Sequence, residues 1–192
     1  MDIIVATNNQ GKVKEIKNIL YPHNVMSQSE IGVDIDVEET GETFAQNAFL
    51  KARALKDHTD CAIIADDSGL MVDYLNGEPG VYSARYAGDN TTPEQGMDKL
   101  LKNLDGVPFE GRSAHFVTVI ALIMPDGTEY SFEGRCDGYI TNIKKGENGF
   151  GFDPIFYYPP LGKTFAELTD DEKNSVSHRS HAIAKLAQFL DK

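Results

Sequence analysis

The sequence is poor in cysteine and has no long apolar run. Its two cysteines, Cys61 and Cys136, stand far apart and form no CxxC pair, which argues against a zinc site or a disulfide framework and favours core thiols in a reducing compartment. No charged-then-apolar leader precedes Ile3, and no apolar run approaches the ~20 residues that a membrane helix needs. We therefore expect a soluble cytoplasmic protein.

Basic residues are also in short supply. The chain has 18 Lys and Arg against 30 Asp and Glu, a formal net charge of -12, which argues against a surface that lies along nucleic acid or a membrane. A small anionic ligand is still compatible, because local cations or a metal can reverse the field inside one cleft. With 192 residues, of which 41% are hydrophobic, we expect one domain, residues 1–192, with two lobes.

The first half of the chain favours alternating strands and helices. The apolar run from Ile3 to Ala6 is followed by turn formers and then by apolar residues at helical spacing, and this helix should end before Tyr21-Pro22. A second helix should begin near Thr43, which has capping-box spacing with Gln46. The next apolar run, "CAIIADDSG", predicts a buried strand that ends in polar residues, and such residues usually point into a crevice.

The second half adds antiparallel strands. From Ala114 the apolar residues recur at every second position, and Pro-Asp-Gly then separates two extended runs, which predicts a hairpin. The chain closes with a helix that Ser177 could cap and that has Ile183, Leu186 and Leu190 on one face. Strands and helices mix without strict alternation, so the predicted fold is a mixed α/β sheet flanked by helices.

The turn from Thr7 to Lys12 has the chemistry of a phosphate-binding site. Backbone N–H groups at a helix start, the positive end of the helix dipole and a lysine in the first turn all favour an anion. The segment lacks the GxxxxGK[ST] spacing of a P-loop. A capped turn with a solvated lysine explains the pattern equally simply, and both interpretations stay open.

Clustered carboxylates suggest a metal. Asp66 and Asp67 are neighbours, so they repel each other unless a cation or hydrogen-bond donors compensate, and in an extended chain they face opposite sides. Mg²⁺ takes carboxylate oxygens and commonly contacts a phosphate as well. A second acidic group contains Glu38, Glu39 and Glu42. A turn with capping aspartates and a solvated acidic surface are the structural alternatives.

Two further segments could bind a ring. "NGFGFDPIF" places aromatic residues on a glycine-rich loop, which suits stacking on a base, although a hydrophobic cluster under a loop would have the same composition. "SHRSH" lacks the spacing of a zinc-protease helix. His178 and Arg179 are better interpreted as donors to an oxygen-rich ligand, with Lys173 near them in sequence.

Taken in order, these segments resemble the inosine/xanthosine triphosphate pyrophosphatase family over nearly the whole chain. Thr7 to Lys12 is similar to its T-x-N-x-x-K opening, and the family's "GGFGYDPIF" is matched by "NGFGFDPIF", in which Phe152 and Asn148 are departures. Four further matches are "EETGETFAQNAFLKA", "ADDSGL", "PGVYSARYAG" and "KNSVSHR".

The resemblance implies hydrolysis of ITP, dITP or XTP to the monophosphate and pyrophosphate with Mg²⁺, in a cleft between two lobes of an elongated twisted sheet, by a homodimer. It makes Asp67 and Lys12 catalytic, and Asp67 with Glu39 or Glu38 the metal ligands. The residues that it assigns to the substrate are Thr7, Asn8, Asn9, Gln10, Gly11, Lys12, Ser68, Phe150, Gly151, Phe152, Asp153, Lys173, His178 and Arg179.

Two other functions fit the same residues. A related pyrophosphatase for pyrimidine or modified nucleotides would keep the carboxylates and lysines and change the base pocket. A nucleotide-binding regulator would tolerate the loss of Asp67 or of the glutamates, and the presence of all of them weighs against it.

Overall fold

Seven strands form one mixed sheet in the computed structural model, which describes residues 1–191 and, of residues 11 and 15, only the backbone. The strands are β1 Asp2–Val5, β2 Asn24–Ser27, β3 Ala62–Val72, β4 Ser113–Ile123, β5 Glu129–Ile140, β6 Phe156–Tyr158 and β7 Lys163–Thr164. Their order is β2-β1-β3-β4-β5-β6-β7. β1 runs parallel to β2 and β3, whereas β6 runs antiparallel to β5 and β7. The predicted mixed α/β class is confirmed.

Five α-helices accompany the sheet within residues 1–191: α1 Gln10–Ile19, α2 Phe44–Ala54, α3 Pro93–Asn103, α4 Asp170–Val176 and α5 His178–Leu190. α1 ends before Tyr21-Pro22, as predicted. The predicted start of α2 is also confirmed, because Thr43 Oγ1 accepts a hydrogen bond from Gln46 N at 3.2 Å. None of the helices in this part of the chain is long and apolar enough to cross a bilayer.

The third strand is longer than the sequence predicted. We expected it to end where the polar residues begin, but β3 continues through Asp66, Asp67 and Ser68 as far as Val72. Its first six residues, from Ala62 to Asp67, are all buried. Hydrogen bonds to neighbouring strands keep the backbone extended, and this non-local pairing outweighs the local preference of Asp, Ser and Gly for turns. The two aspartates therefore lie inside a strand.

The predicted hairpin and closing helix are confirmed. β4 and β5 are neighbours in the sheet and are joined through Pro125-Asp126-Gly127, where Gly127 N donates to Met124 O at 2.8 Å and Gly127 has a φ of +87°. Ser177 Oγ accepts from Ser180 N at 3.1 Å at the start of α5.

The chain divides into two compact units. Unit 1 comprises Met1–Asp67, Thr118–Gly134 and the chain from His181, and unit 2 comprises Ser68–Val117 and Arg135–Ser180. The predicted cleft between two lobes stays a prediction.

Unit 1 buries apolar residues on both faces of its part of the sheet. Alternate residues of β1 and β3 enter different clusters: Ile64 packs with α1 and α5, whereas Ile63 and Ala65 pack with α2. Successive side chains of a strand point to opposite faces. It follows that Asp66 continues the face covered by α1, and Asp67 continues the face covered by α2.

Unit 2 has an aromatic core. The ring of Phe116 lies 4.6 Å from that of Phe156 and 5.7 Å from that of Phe165, measured between centroids. Cys136 belongs to this core, and burial raises the pKa of its thiol to about 12. The expectation of a core thiol is confirmed for Cys136, while Cys61 is only half-buried in unit 1.

A capping box at the start of α3 provides a test of this fold. Thr92 Oγ1 accepts from Gln95 N, and Gln95 Oε1 accepts from Thr92 N at 2.8 Å. We expect Thr92→Ala to lower the free energy of unfolding by about 1 kcal/mol, which is about 2–4 °C in Tm for a chain of this size. Calorimetry measures the change, and Thr92→Ser, which keeps the hydroxyl, is the control. Equal losses in both variants would contradict the cap.

Candidate active site

The predicted phosphate-binding turn lies in unit 1, between β1 and α1. Thr7 Oγ1 accepts a hydrogen bond from Asn9 N at 3.2 Å, and Asn9 Oδ1 accepts one from Lys12 N, also at 3.2 Å. Asn9 therefore caps α1, as the capped-turn interpretation requires. Lys12 stands in the first turn of the helix, so its ammonium group adds a full charge to the positive end of the dipole. The capped turn and the anion site are thus compatible.

Three other residues complete this turn. Asn8 Nδ2 donates to Asp34 Oδ1 at 3.1 Å. Gln10 is exposed as the first residue of α1, and the surroundings of Gly11 lie outside the described residues. Phosphate binding by the turn stays a prediction.

Lys12 forms an ion pair with the first of the two buried aspartates. Its Nζ lies 2.8 Å from Asp66 Oδ2, and only 6% of the Asp66 side chain is exposed. A carboxylate buried to this extent needs a counter-charge, because burial disfavours its ionised form. Lys12 supplies that charge from α1, on the face of the sheet to which Asp66 points.

The second aspartate is matched by Lys51 of α2. Lys51 Nζ lies 3.5 Å from Asp67 Oδ1 and 2.8 Å from Glu39 Oε1. Burial lowers the pKa of Lys51, but the carboxylates of Asp67 and Glu39 outweigh it and raise the pKa above the ordinary 10.5. Lys51 therefore stays protonated at neutral and mildly alkaline pH, and it joins two acids from distant parts of the chain.

The two candidate glutamates differ in position. Glu39 lines the pocket beside Lys51, whereas Glu38 is exposed. The segment from 33 to 41 has no regular secondary structure, and its residues alternate between half-buried and exposed. This alternation turns Glu39 inward and Glu38 outward. Of the two, only Glu39 is brought to Asp67.

A pocket of about 350 Å³ lies in unit 1 at these residues. Three carboxylates and two ammonium groups line it, so its formal charge is negative. The charged lining residues are Lys12, Asp36, Glu39, Lys51 and Asp66. A polyphosphate needs additional positive charge in such a pocket, and hard oxygen ligands suit a divalent cation that also contacts phosphate.

Glu39 and Asp67 of unit 1 could provide some, but not all, of the ligands of such a cation. Among the side chains that the structure describes, no three acidic, His or Cys groups converge on one point. Glu39 and Asp67 instead approach the same Lys51 ammonium. Mg²⁺ is commonly bound through one or two carboxylates, together with waters and substrate phosphates. Two acids held around one positive charge are consistent with that mode of binding.

The aromatic loop of unit 2 forms a second group of predicted residues. Phe150 is 62% exposed, and Lys173 Nζ lies 4.7 Å from the centroid of its ring, with the Arg179 guanidinium carbon at 5.7 Å. An exposed ring beside two cations suits a flat ligand that carries oxygen atoms.

Asp153 holds this loop in place. It is buried, and its Oδ2 accepts from Phe150 N at 2.9 Å and from Lys173 Nζ. Gly149 has a φ of +75°, and a Cβ there would lie 2.1 Å from Asp153 Oδ2, so only glycine fits. The carboxylate therefore connects the loop to α4, which carries Lys173.

The remaining predicted residues of unit 2 are mostly buried. Phe152 belongs to the core, 6.5 Å from the Tyr86 ring, and Gly151 adopts a φ of +60°. His178 is buried at the start of α5, where its ring stacks on Phe116 at 4.8 Å. Ser68 follows Asp67 in β3 and is half-buried.

The sequence reasoning missed Lys51 and the structural role of Asp66. A signal for Lys51 was present, because it lies three residues after Ala48 and four before Leu55, on the apolar stripe of α2. A cation at a core-facing position of a helix needs an acidic partner. No local pattern, however, identifies that partner.

Comparison with known proteins agrees with the resemblance seen in the sequence. The model of the Ham1 family matches residues 3–189. A protein of Thermoanaerobacter sp. (strain X514) named "dITP/XTP pyrophosphatase" is 50% identical over 192 residues, 99% of this chain and 96% of its own. A Bacillus licheniformis protein of the same name is 47% identical over 192 residues, 99% of this chain and 98% of its own.

Solved structures agree with the fold. The Ham1 protein of Staphylococcus aureus superposes with a TM-score of 0.93 at 48% identity, covering 100% of this chain and 98% of its own. A "Nucleoside-triphosphatase / dITP/XTP pyrophosphatase" of Mycobacterium abscessus superposes with a TM-score of 0.82 at 44% identity, covering 97% of this chain and 98% of its own. The chain belongs to the Ham1 family.

Proposed function

We propose that the protein hydrolyses non-standard purine nucleoside triphosphates, namely ITP, dITP and XTP, to the nucleoside monophosphate and pyrophosphate. Relatives named for dITP and XTP at about 50% identity support this substrate class. The structural observation that carries the proposal is the convergence of Asp67 and Glu39 on Lys51, in the unit whose pocket also holds Lys12.

Mg²⁺ is the cofactor that we propose, with Asp67 and Glu39 as its protein ligands. When bound, it would supply positive charge to the phosphate oxygens and the departing pyrophosphate. Lys12 would bind phosphate oxygens at the start of α1, and Lys51 would keep the two acids in place.

We propose the following reaction for these groups. A water oxygen attacks the α-phosphorus, and the bond from that phosphorus to the oxygen bridging to the β-phosphate breaks. Pyrophosphate leaves with the bond's electron pair, and the proton of the water passes to the Asp67 carboxylate. Lys12 offsets the charge of the phosphates during this step.

We propose that the residues of unit 2 bind the purine base of the substrate. Phe150 would stack on the purine, and Lys173, His178 and Arg179 would surround its edge. Donors from His178 and Arg179 match the 6-oxo group of hypoxanthine and xanthine, whereas the 6-amino group of ATP would place donor against donor. Unpaired buried hydrogen-bonding groups make such discrimination strong.

We further propose that the enzyme is a cytoplasmic homodimer that acts on free nucleotides and binds neither nucleic acid nor membrane. The two free cysteines support the reducing compartment, and the acidic composition argues against nucleic acid and membrane as partners. The homodimer rests on the resemblance to the family alone.

The substrate class can be tested with a panel of nucleoside triphosphates, with and without Mg²⁺. We expect pyrophosphate release from ITP, dITP and XTP with a kcat/KM at least about 100-fold above that for ATP, and a loss of activity in EDTA. GTP, UTP and CTP complete the panel. Preference for the pyrimidine nucleotides would favour the alternative pyrophosphatase, and orthophosphate as the first product would contradict both.

Asp67→Asn tests the proton acceptor. We expect kcat for ITP to fall by about 10³-fold, because an amide cannot accept the proton, while calorimetry still detects ITP binding. Asp60→Asn changes an exposed acid of the same unit and should behave as the unchanged enzyme. Near-normal turnover by the Asp67 variant would remove it from the mechanism.

Lys12→Ala tests the phosphate contact. We expect the KM for ITP to rise about tenfold or more, because a charged hydrogen bond to phosphate is lost. Lys14→Ala, at an exposed position of the same helix, is the control. Since the single change also leaves Asp66 buried without its lysine, the double variant Lys12→Ala with Asp66→Asn is measured too. A normal KM in the double variant would assign Lys12 to the ion pair alone.

A further inference from the structure

Asn47 is a fully buried asparagine on α2, one helical turn before Lys51. Residues four apart on a helix lie on the same face, so Asn47 and Lys51 project from the same side of α2. That side meets the segment from 33 to 41, which contains Glu39. Lys51 binds the carboxylate of this segment, and Asn47 binds its backbone.

The backbone contact is a short hydrogen bond. Gly41 N donates to Asn47 Oδ1 at 2.7 Å. A Cβ on Gly41 would lie 2.6 Å from the same oxygen and 2.7 Å from Gln46 Cβ, so the chain at Gly41 lies directly against the first turn of α2. Gly41 is two residues after Glu39, which leaves little freedom for the glutamate once Gly41 is held.

A role in capping α2 does not explain why a buried asparagine stands at position 47. Thr43 already caps α2 through its hydrogen bond from Gln46 N. Stability does not explain it well either, because Asn47 Nδ2 is buried and finds no acceptor among the described residues. The desolvation cost of this unpaired Nδ2 group offsets part of the stabilisation that the hydrogen bond from Gly41 provides.

We infer that Asn47 is a positioning residue: it fixes the backbone at Gly41 and thereby directs the Glu39 carboxylate towards Asp67, so that both acids can bind one divalent cation. The inference rests on the proposed function, in which these acids are the metal ligands. Residues 33–41 have no helix or strand to hold them, so their position depends on such side-chain contacts. Groups that orient metal ligands commonly change metal affinity or activity by 10- to 100-fold.

The test compares two substitutions of Asn47. Asn47→Leu keeps the approximate volume and removes the acceptor, whereas Asn47→Asp keeps the acceptor oxygen. Asn103→Leu is the control, because the exposed Asn103 donates its amide hydrogen bond to Tyr86 in unit 2, whereas both proposed metal ligands belong to unit 1. Mn²⁺, added without nucleotide, is titrated by electron paramagnetic resonance, and hydrogen exchange is followed in residues 36–42.

We expect Asn47→Leu to weaken Mn²⁺ binding by about tenfold or more and to accelerate exchange in residues 36–42, with a near-native Tm. Asn47→Asp should retain slow exchange at Gly41, and Asn103→Leu should match the unchanged protein in both measurements. A fully folded Asn47→Leu protein with unchanged Mn²⁺ affinity would overturn the inference. If the leucine variant fails to fold, Asn47→Ser replaces it, because the serine hydroxyl is too short to reach Gly41. We expect the same loss of Mn²⁺ affinity in this variant, and a normal Mn²⁺ affinity would overturn the inference.

Failure of the proposed function gives a different result. A wild-type protein that releases no pyrophosphate from any triphosphate would refute the function. A wild-type protein that releases pyrophosphate while Asn47→Leu retains normal metal affinity and normal exchange would refute only the role of Asn47.

Discussion

The burial of two consecutive carboxylates inside β3 is the constraint on which the rest of unit 1 depends. Burial disfavours the ionised forms of Asp66 and Asp67 unless cations or hydrogen-bond donors compensate, and the removal of one partner of a buried pair typically costs about 3–5 kcal/mol. Because neighbouring strand residues face opposite sides, each aspartate forms its close ion pair with a different lysine, Asp66 with Lys12 and Asp67 with Lys51. Lys12 of α1 and Lys51 of α2 each supply one charge, so both helices must pack with these residues against the aspartates.

This requirement places the other acidic residues as well. Lys51 contacts both Asp67 and Glu39, and it thereby brings an irregular segment of the chain to the sheet. The same helix holds the segment again through Asn47. The Lys51 ammonium group thus keeps two carboxylates close together. A divalent cation that also contacts phosphate prefers oxygen atoms of this kind.

Unit 2 uses a similar device for a different purpose. Asp153 is buried, and one of its two carboxylate oxygens, Oδ2, accepts from the backbone of the aromatic loop and from Lys173. The charged pair fixes the exposed ring of Phe150 and places a cation beside it. In both units, then, a buried acid organises a lysine and a loop. In unit 1 the result is a group suited to phosphate and metal, and in unit 2 it is a surface suited to a flat base.

The amino-acid sequence by itself determined the C-terminal end of α1, the cap of α2 at Thr43, the hairpin turn and the order of the candidate motifs. These features depend on residues within about four positions of one another, where capping and turn chemistry act directly. Only the tertiary structure decided that β3 continues past Asp67, that Glu39 rather than Glu38 faces inward, and that Lys51 joins the two acids. Lys12 and Asp66 are 54 positions apart, and such partners are chosen by the packing of helices on opposite faces of a sheet, which no local pattern encodes.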